Sequence, residues 1–365
     1  MIPHPSTLIS DADITIIRDN AAAAEELGQL HPAQLELIER LQWFKLLVPK
    51  VYGGLETPLP GLIRLQEAIS WADGSLGWTM TLCCGAGWFG GFIDPVLAYQ
   101  IFNTPYLCLA GSGAQTGVAE IVDDGYKISG TWKYATGAHH ATHFTANCII
   151  QKDGEIQQDE FGNALIRSFV IPAKDVELLP AWKYIGMIAT GSHSFNIDGA
   201  VVSADHSFLI DPAHTNVDGK LYKYPFLQLA EATLAVNLSG MALHFIELCA
   251  GIFEQKYQLP KMTDAHKDLM RRLLQDVTSK MDIARTELLK AVDASWAAPL
   301  DANADELKAV SLTSRILATA SREAVDKLYP YCGLIAAAAD SEINRVWRDI
   351  HTAGQHSLLT FLDER

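Results

Sequence analysis

The spacing of apolar residues changes twice along this chain, and that double change restricts the available folds more than any single motif does. Up to about residue 105 the apolar positions recur three and four apart, as on one face of a helix. Pro32 can open such a helix, with Leu35, Ile38 and Leu41 on one side and an end near Phe44. Another runs from about Pro60 with Leu62, Leu65, Ile69 and Ala72 on its stripe, and Pro49 with Gly53-Gly54 demands a turn between them. From Leu107 to about Pro212 short β-rich runs appear instead, broken by glycine and aspartate. The Asp124-Gly125 pair there makes residues 119–122 and 126–129 the arms of a hairpin. Beyond Pro225 helical spacing returns. It predicts helices over 226–254, over 263–297 with Thr263 as N-cap, over 305–329 with a stop at Pro330, and from about Ser341. The expected class is α+β: a helical domain over 1–105, a β domain over 106–215 and a helical bundle over 216–365.

Charge and composition narrow the partners. With 365 residues, 49% of them hydrophobic and 19% charged, the chain is long enough for two or three folded domains. A formal net charge of -15 argues against nucleic acid, which needs a basic face. The six cysteines form no Cys-x-x-Cys pair, and the first residues lack a signal-peptide pattern, so a cytoplasmic enzyme with reduced thiols is expected. Residues 74–93 carry no charge and are long enough to span a bilayer. They are crowded with glycine and have no Lys or Arg anchor, so a buried helix is expected and no membrane partner.

Chemistry is concentrated in a few stretches. Gly130 and Gly137 bracket Trp132, Tyr134 and Thr136. Two readings stand open: a strand pair with core aromatics, or a wall that sets a backbone and a hydroxyl against a flat ligand. His139 and His143 have a metal-like spacing, but no acidic residue or cysteine completes a site, so no metal is expected. Residues 111–117 are glycine-rich without a Rossmann pattern, and Thr190-Gly191-Ser192 is a second small-residue turn. Near the end, Arg345, Arg348 and Asp349 read as a solvated charged helix face. His356 follows Gly354, where a helix can loosen, so it reads either as an exposed histidine near the end of the chain, the commoner case, or as one turned into a cavity.

In combination these stretches resemble the acyl-CoA dehydrogenase superfamily over nearly the whole chain. Residues 47–54 and 66–75 look like its N-terminal signatures. Gly130, Trp132, Tyr134, Thr136 and Gly137, then Trp182, Gly186, Thr190, Gly191 and Ser192, match segments of its flavin-dependent monooxygenase branch. Arg345, Arg348, Asp349, His351 and His356 match that branch's C-terminal motif. The resemblance implies an N-terminal helical domain, a central β-barrel-like domain and a C-terminal four-helix bundle, usually in a homo-oligomer (tetramer or dimer). It also implies a flavin, FMN or FAD, between the β domain and the bundle. Thr136 would bond the flavin near N5, Trp132 and Tyr134 would line its ring, and Thr190 and Ser192 would line the site from the next turn. Gly137 and Gly113 would approach the flavin with their backbone. Lys256 stands where the family grips the flavin phosphates.

The branches differ in their base. A dehydrogenase needs a carboxylate to take the α-proton of an acyl thioester. The usual position near the end of the chain is Ser357 here, and the second family location falls beside Glu231, one residue out of register. The monooxygenase branch instead uses a late histidine in the oxygen chemistry of reduced flavin, and His356 fits that place. The leading expectation is a monooxygenase fed by a separate flavin reductase and acting on a small organic molecule. The alternatives are an acyl-CoA dehydrogenase using Glu231, and a non-catalytic binding subunit with the same fold.

Overall fold

The computed structural model describes residues 2–301 and 303–360. Six helices come first: α1 (Asp11–Asp19), α2 (Ala21–Leu27), α3 (Pro32–Arg40), α4 (Leu59–Ala72), α5 (Gly74–Gly87) and α6 (Pro95–Phe102). Helix α3 stops short of the expected Phe44 because Gln42 takes a left-handed conformation, φ 55°. The uncharged stretch becomes α5, N-capped by Asp73, whose carboxylate accepts from the Leu76 amide at 2.8 Å. Nearly every residue of α5 is buried, so the missing charges reflect protein neighbours on all sides.

Eight strands follow: β1 (Leu109–Val122), β2 (Gly125–Ala135), β3 (His143–Lys152), β4 (Glu155–Ile156), β5 (Ile166–Pro172), β6 (Glu177–Leu179), β7 (His193–Ser203) and β8 (Ser207–Phe208). They form one sheet in the order β6-β7-β2-β1-β3-β5-β8, with β4 paired to β3. The predicted hairpin is there, Val118 opposite Ser129 and Val122 opposite Gly125. The glycine-rich residues 111–117 are part of β1, not a separate loop. Pairing with β3 jumps from Ser112–Ala146 to Gly117–Cys148, so four residues of β1 stand opposite one of β3 and the strand bulges there.

The last third holds α7 (Lys220–Lys223), α8 (Phe226–Tyr257), α9 (Asp264–Ala297), α10 (Ala304–Cys332), α11 (Glu342–Ala353) and α12 (Ser357–Thr360). Thr263 caps α9 as expected, its hydroxyl accepting from the His266 amide. Helix α10 passes through Pro330 to Cys332. A proline this near a C-terminus forfeits one backbone bond without forbidding helical φ. Helix α8 is long and apolar enough to cross a membrane, but it is mostly buried as the centre of the bundle.

The N-terminal and C-terminal helices share one apolar core, while the sheet keeps another built on Trp132, Phe144, Phe169 and Phe195. A buried ion pair reinforces the shared core: Arg285 of α9 meets Glu67 of α4 through two 2.8 Å bonds.

Helix α11 fastens the sheet to the helices. Its Asp349 is 2% exposed, not on a solvated face, and its Oδ1 accepts the Met187 amide at 2.5 Å. Arg348 forks onto Glu25 of α2 and donates to the Ile185 carbonyl at 2.8 Å. Gly186 passes so close that a Cβ there would lie 2.1 Å from the Arg348 carbonyl oxygen. Trp182 completes the fastening by donating to the Met187 carbonyl at 2.9 Å.

Burial, and then the neighbouring Asp73 carboxylate, push the Asp349 carboxyl up to about 7. Between the ordinary carboxylate range and that value the native state holds more protons than the unfolded chain, so this group costs stability as pH rises through the window. Asp349→Asn keeps an oxygen for the Met187 amide and removes the charge. The variant is expected to match the wild type near pH 5 and to exceed it near pH 8 by on the order of 2 kcal/mol. Thermal unfolding of both proteins at the two pH values checks this.

Candidate functional site

A cavity of about 310 Å³ lies between the sheet and the helices. Its sheet side is polar: Ser112 and the bulge glycines of β1, Thr145 and Asn147 of β3, Ser168 of β5, and Thr136 just after β2. Strand alternation puts Thr145 and Asn147 on one face, and the β3–β5 register sets Asn147 opposite Ser168. Ser168 donates to Asn147 Oδ1 at 2.7 Å, and Asn147 Nδ2 donates to the Gly113 carbonyl at 3.0 Å. The opposite side is apolar, from Leu82 and Ala86 of α5, Phe89, and Leu229, Ala230 and Leu234 of α8, with Phe208, Ile210 and Phe226. His356 and Leu358 close one end.

Thr136 and His356, named from the sequence 220 positions apart, therefore line one cavity. Gly354 ends α11, and the chain then brings His356 in ahead of α12. Its Nδ1 accepts the Leu358 amide at 3.3 Å, which in a neutral ring leaves the proton on Nε2. Its ring also packs 6.0 Å from that of Trp78 on α5.

Behind Thr136 the other two named hydroxyls form a buried chain. Thr136 Oγ1 lies 2.9 Å from Ser192 Oγ, Ser192 Oγ lies 2.7 Å from Thr190 Oγ1, and Thr190 Oγ1 donates to the Met187 carbonyl at 2.7 Å. The Gly137 amide donates to the Thr190 carbonyl at 2.9 Å, tying the two turns together. Gly137 itself is left-handed, φ 75°, and a Cβ there would press on Cys83 Sγ at 2.7 Å.

Four named residues stand elsewhere. Trp132 is fully buried in the sheet's own core, stacked on Phe195 at 5.1 Å; Gly117 and Gly130 make room for its ring. It reaches the site only indirectly, by donating to the Asn147 carbonyl at 3.1 Å. Tyr134 has φ 68°, which turns its ring outward; it is 57% exposed and meets Tyr184 at the surface. Lys256 donates to the Tyr331 carbonyl at the end of α10. It lies 22 residues beyond Leu234 on the same helix, about 33 Å at 1.5 Å per residue. Glu231 is fully buried and faces α10, paired with Arg315 at 2.9 Å and accepting from Ser311. Ala230, its neighbour, lines the cavity in its place.

The polar rim of Thr145, Asn147 and Ser168 was not named from the sequence. The available signal was an alternation of polar residues within an otherwise apolar strand. The cavity suits a planar ring: the sheet face offers hydrogen bonds, the helix face is apolar apart from Thr81 and Thr233, and a Cβ on Gly85 or Gly113 would stand in open space inside it. Among the described residues, none that lines it carries a carboxylate, ammonium or guanidinium.

The family model for the acyl-CoA dehydrogenase C-terminal domain matches residues 232–361. HsaA of Mycobacterium tuberculosis, the oxygenase subunit of a flavin-dependent monooxygenase, is 25% identical over 355 residues, 93% of this chain and 88% of that protein. The crystal structure of 3-HSA hydroxylase from Rhodococcus sp. RHA1 superposes with a TM-score of 0.85 at 20% identity, covering 96% of this chain and 92% of that one. XiaF from Streptomyces sp., solved with FADH2 and glycerol, gives 0.79 at 20% identity, covering 97% and 92%. Residues 232–361 thus match the acyl-CoA dehydrogenase C-terminal domain, and along nearly its whole length the chain shares the fold of flavin-dependent monooxygenases built on that plan.

Proposed function

We propose that this protein is the oxygenase component of a two-component flavin-dependent monooxygenase, receiving reduced flavin from a separate reductase and oxygenating a small, neutral, largely apolar organic molecule. One observation carries this: the cavity pairs Thr136 with His356 and, among the described residues, has no carboxylate on its wall, while the candidate base for acyl thioester dehydrogenation, Glu231, is held by Arg315 and Ser311 outside it. Proton abstraction by Glu231 would require breaking a buried ion pair, which is strongly unfavourable.

When bound, the reduced flavin supplies the activation of molecular oxygen. This chain's own groups do the rest. Thr145, Asn147 and Ser168 give the ring's polar edge partners, and the walls of α5 and α8 exclude water. His356, at the end of the cavity, is the group that can pass a proton to, or take one from, what the cavity holds. Because the described residues give the wall no charge, an uncharged substrate suits it: an unpaired ion there would be costly to desolvate. The lack of a cation also makes the ring, not the phosphates of FMN or FAD, the part that this cavity recognises. Exposed Ile283 on α9 and Leu312 and Ile316 on α10 support a homo-oligomer, and six buried thiols suit a reducing, cytoplasmic setting.

The test supplies the purified chain with reduced flavin, oxygen and a panel of neutral aromatic compounds, and looks for oxygen-dependent product. A protein that fails to bind reduced flavin at micromolar levels overturns the proposal. His356→Ala should keep flavin binding and lose about 10²-fold or more in turnover. Glu231→Gln should keep turnover, yet lose on the order of 3 kcal/mol of stability by leaving Arg315 without its charge partner. Loss of turnover in a folded Glu231→Gln variant would restore the dehydrogenase alternative.

A further inference from the structure

The three buried hydroxyls behind the cavity can be assigned a direction by counting protons. A carbonyl oxygen only accepts, so the 2.7 Å bond between Thr190 Oγ1 and the Met187 carbonyl uses the single hydroxyl proton of Thr190. The 2.7 Å bond between Thr190 and Ser192 must then be donated by Ser192, which uses its proton. The 2.9 Å bond between Ser192 and Thr136 must in turn be donated by Thr136. Thr136 is left with lone pairs alone for the cavity that it lines.

The start of this chain is well held. The Met187 amide donates to Asp349 and its carbonyl also accepts from Trp182, so the carbonyl that sets the direction is fixed from both sides. Thr136, Thr190 and Ser192 are all buried, which keeps bulk water from supplying a competing partner. Reversing the row gives up the Thr190–Met187 bond, and only a hydrogen-bond acceptor in the cavity would replace it.

We propose that this row locks Thr136 as a hydrogen-bond acceptor, so that the site selects reduced flavin, whose N5 carries a hydrogen, over oxidised flavin, whose N5 offers only a lone pair. Thr190 and Ser192 are then positioning residues that set the redox preference without touching the ring. The inference rests on the proposed flavin site and extends it from which group binds to which redox state binds. The preference is worth about one hydrogen bond, on the order of tenfold in affinity.

The test measures Kd for reduced flavin under anaerobic conditions and for oxidised flavin, and follows the ratio. Ser192→Ala frees the Thr136 proton to turn toward the cavity. It should tighten oxidised flavin by about tenfold and leave reduced flavin unchanged. Thr190→Val, which removes the acceptor of Ser192 and frees its proton for Thr136, should do the same, whereas Thr190→Ser should keep the wild-type ratio. A measurement on the unaltered protein guards against variants that fail to fold. With 5-deazaflavin, which has carbon in place of N5, the ratio of oxidised to reduced Kd should fall by about the same factor. If both flavin forms bind and the ratio moves in neither variant nor with 5-deazaflavin, the inference fails and the flavin site stands. If neither form binds the wild type, the functional proposal fails with it.

Discussion

The bond from the Met187 amide to the buried Asp349 carboxyl holds the site together, because two separately packed bodies meet there. The sheet has its own aromatic core, and the helices before and after it share a different one. The turn at 182–187 joins the helical core through Met187, with Trp182 packed against it, and polar bonds add to this. It is held by Arg348 across Gly186, by Trp182 on the Met187 carbonyl and by Asp349 on the Met187 amide. Met187 is left-handed, φ 54°, a conformation that a residue with a side chain adopts only at a cost. The bonds on both sides of its peptide groups offset that cost, and they also point its carbonyl at Thr190. Family-like motifs at Trp182, Gly186, Arg348 and Asp349 are thereby explained as a fastening, with no ligand contact required.

Helix geometry separates the two chemistries that the sequence leaves open. On α8, Ala230, Thr233 and Leu234 line the cavity, spaced three and four apart. Glu231 is one residue from Ala230 and so about 100° around the axis, where it meets α10 instead. A single step in register thus turns a possible base into half of a structural ion pair. At the other end of the cavity Ser357 stands beside His356, and it too is not acidic. The loss of a base and the gain of an imidazole are linked features of the same enclosure.

Much of this was legible, and the failures have specific causes. The helix–sheet–helix order, the 119–129 hairpin, the Thr263 cap and the buried nature of 74–93 all follow from local periodicity or local turn chemistry. So does the meeting of Thr136 and His356, given the family resemblance. Trp132 and Tyr134 were misplaced because alternation along β2 breaks where Tyr134 goes left-handed, and the pairing with β7 slips between Trp132 and Ala135. Nothing in the residue types announces that slip. Lys256 was named from its match to the family's phosphate-gripping segment, and the length of α8 sets it about 33 Å from the cavity that would take the ring. Asp349 was assigned to solvent because charge patterns cannot reveal a partner 162 residues away.

The site's placement at the seam between two cores also bears on how a ring and a substrate could both enter. Opening a pocket inside one core would break close packing and cost several side chains their contacts. Here most of each wall has its own support: Trp132 and its neighbours hold the sheet, and the α4–α8–α9 packing around Glu67 and Arg285 holds the helices, with Leu109, Val170 and Phe208 of the sheet packed into the helical core. The two walls are therefore joined both by that apolar contact and by the polar fastening at Asp349. Both joints keep Thr136 and its neighbouring hydroxyls in fixed register with the helix wall.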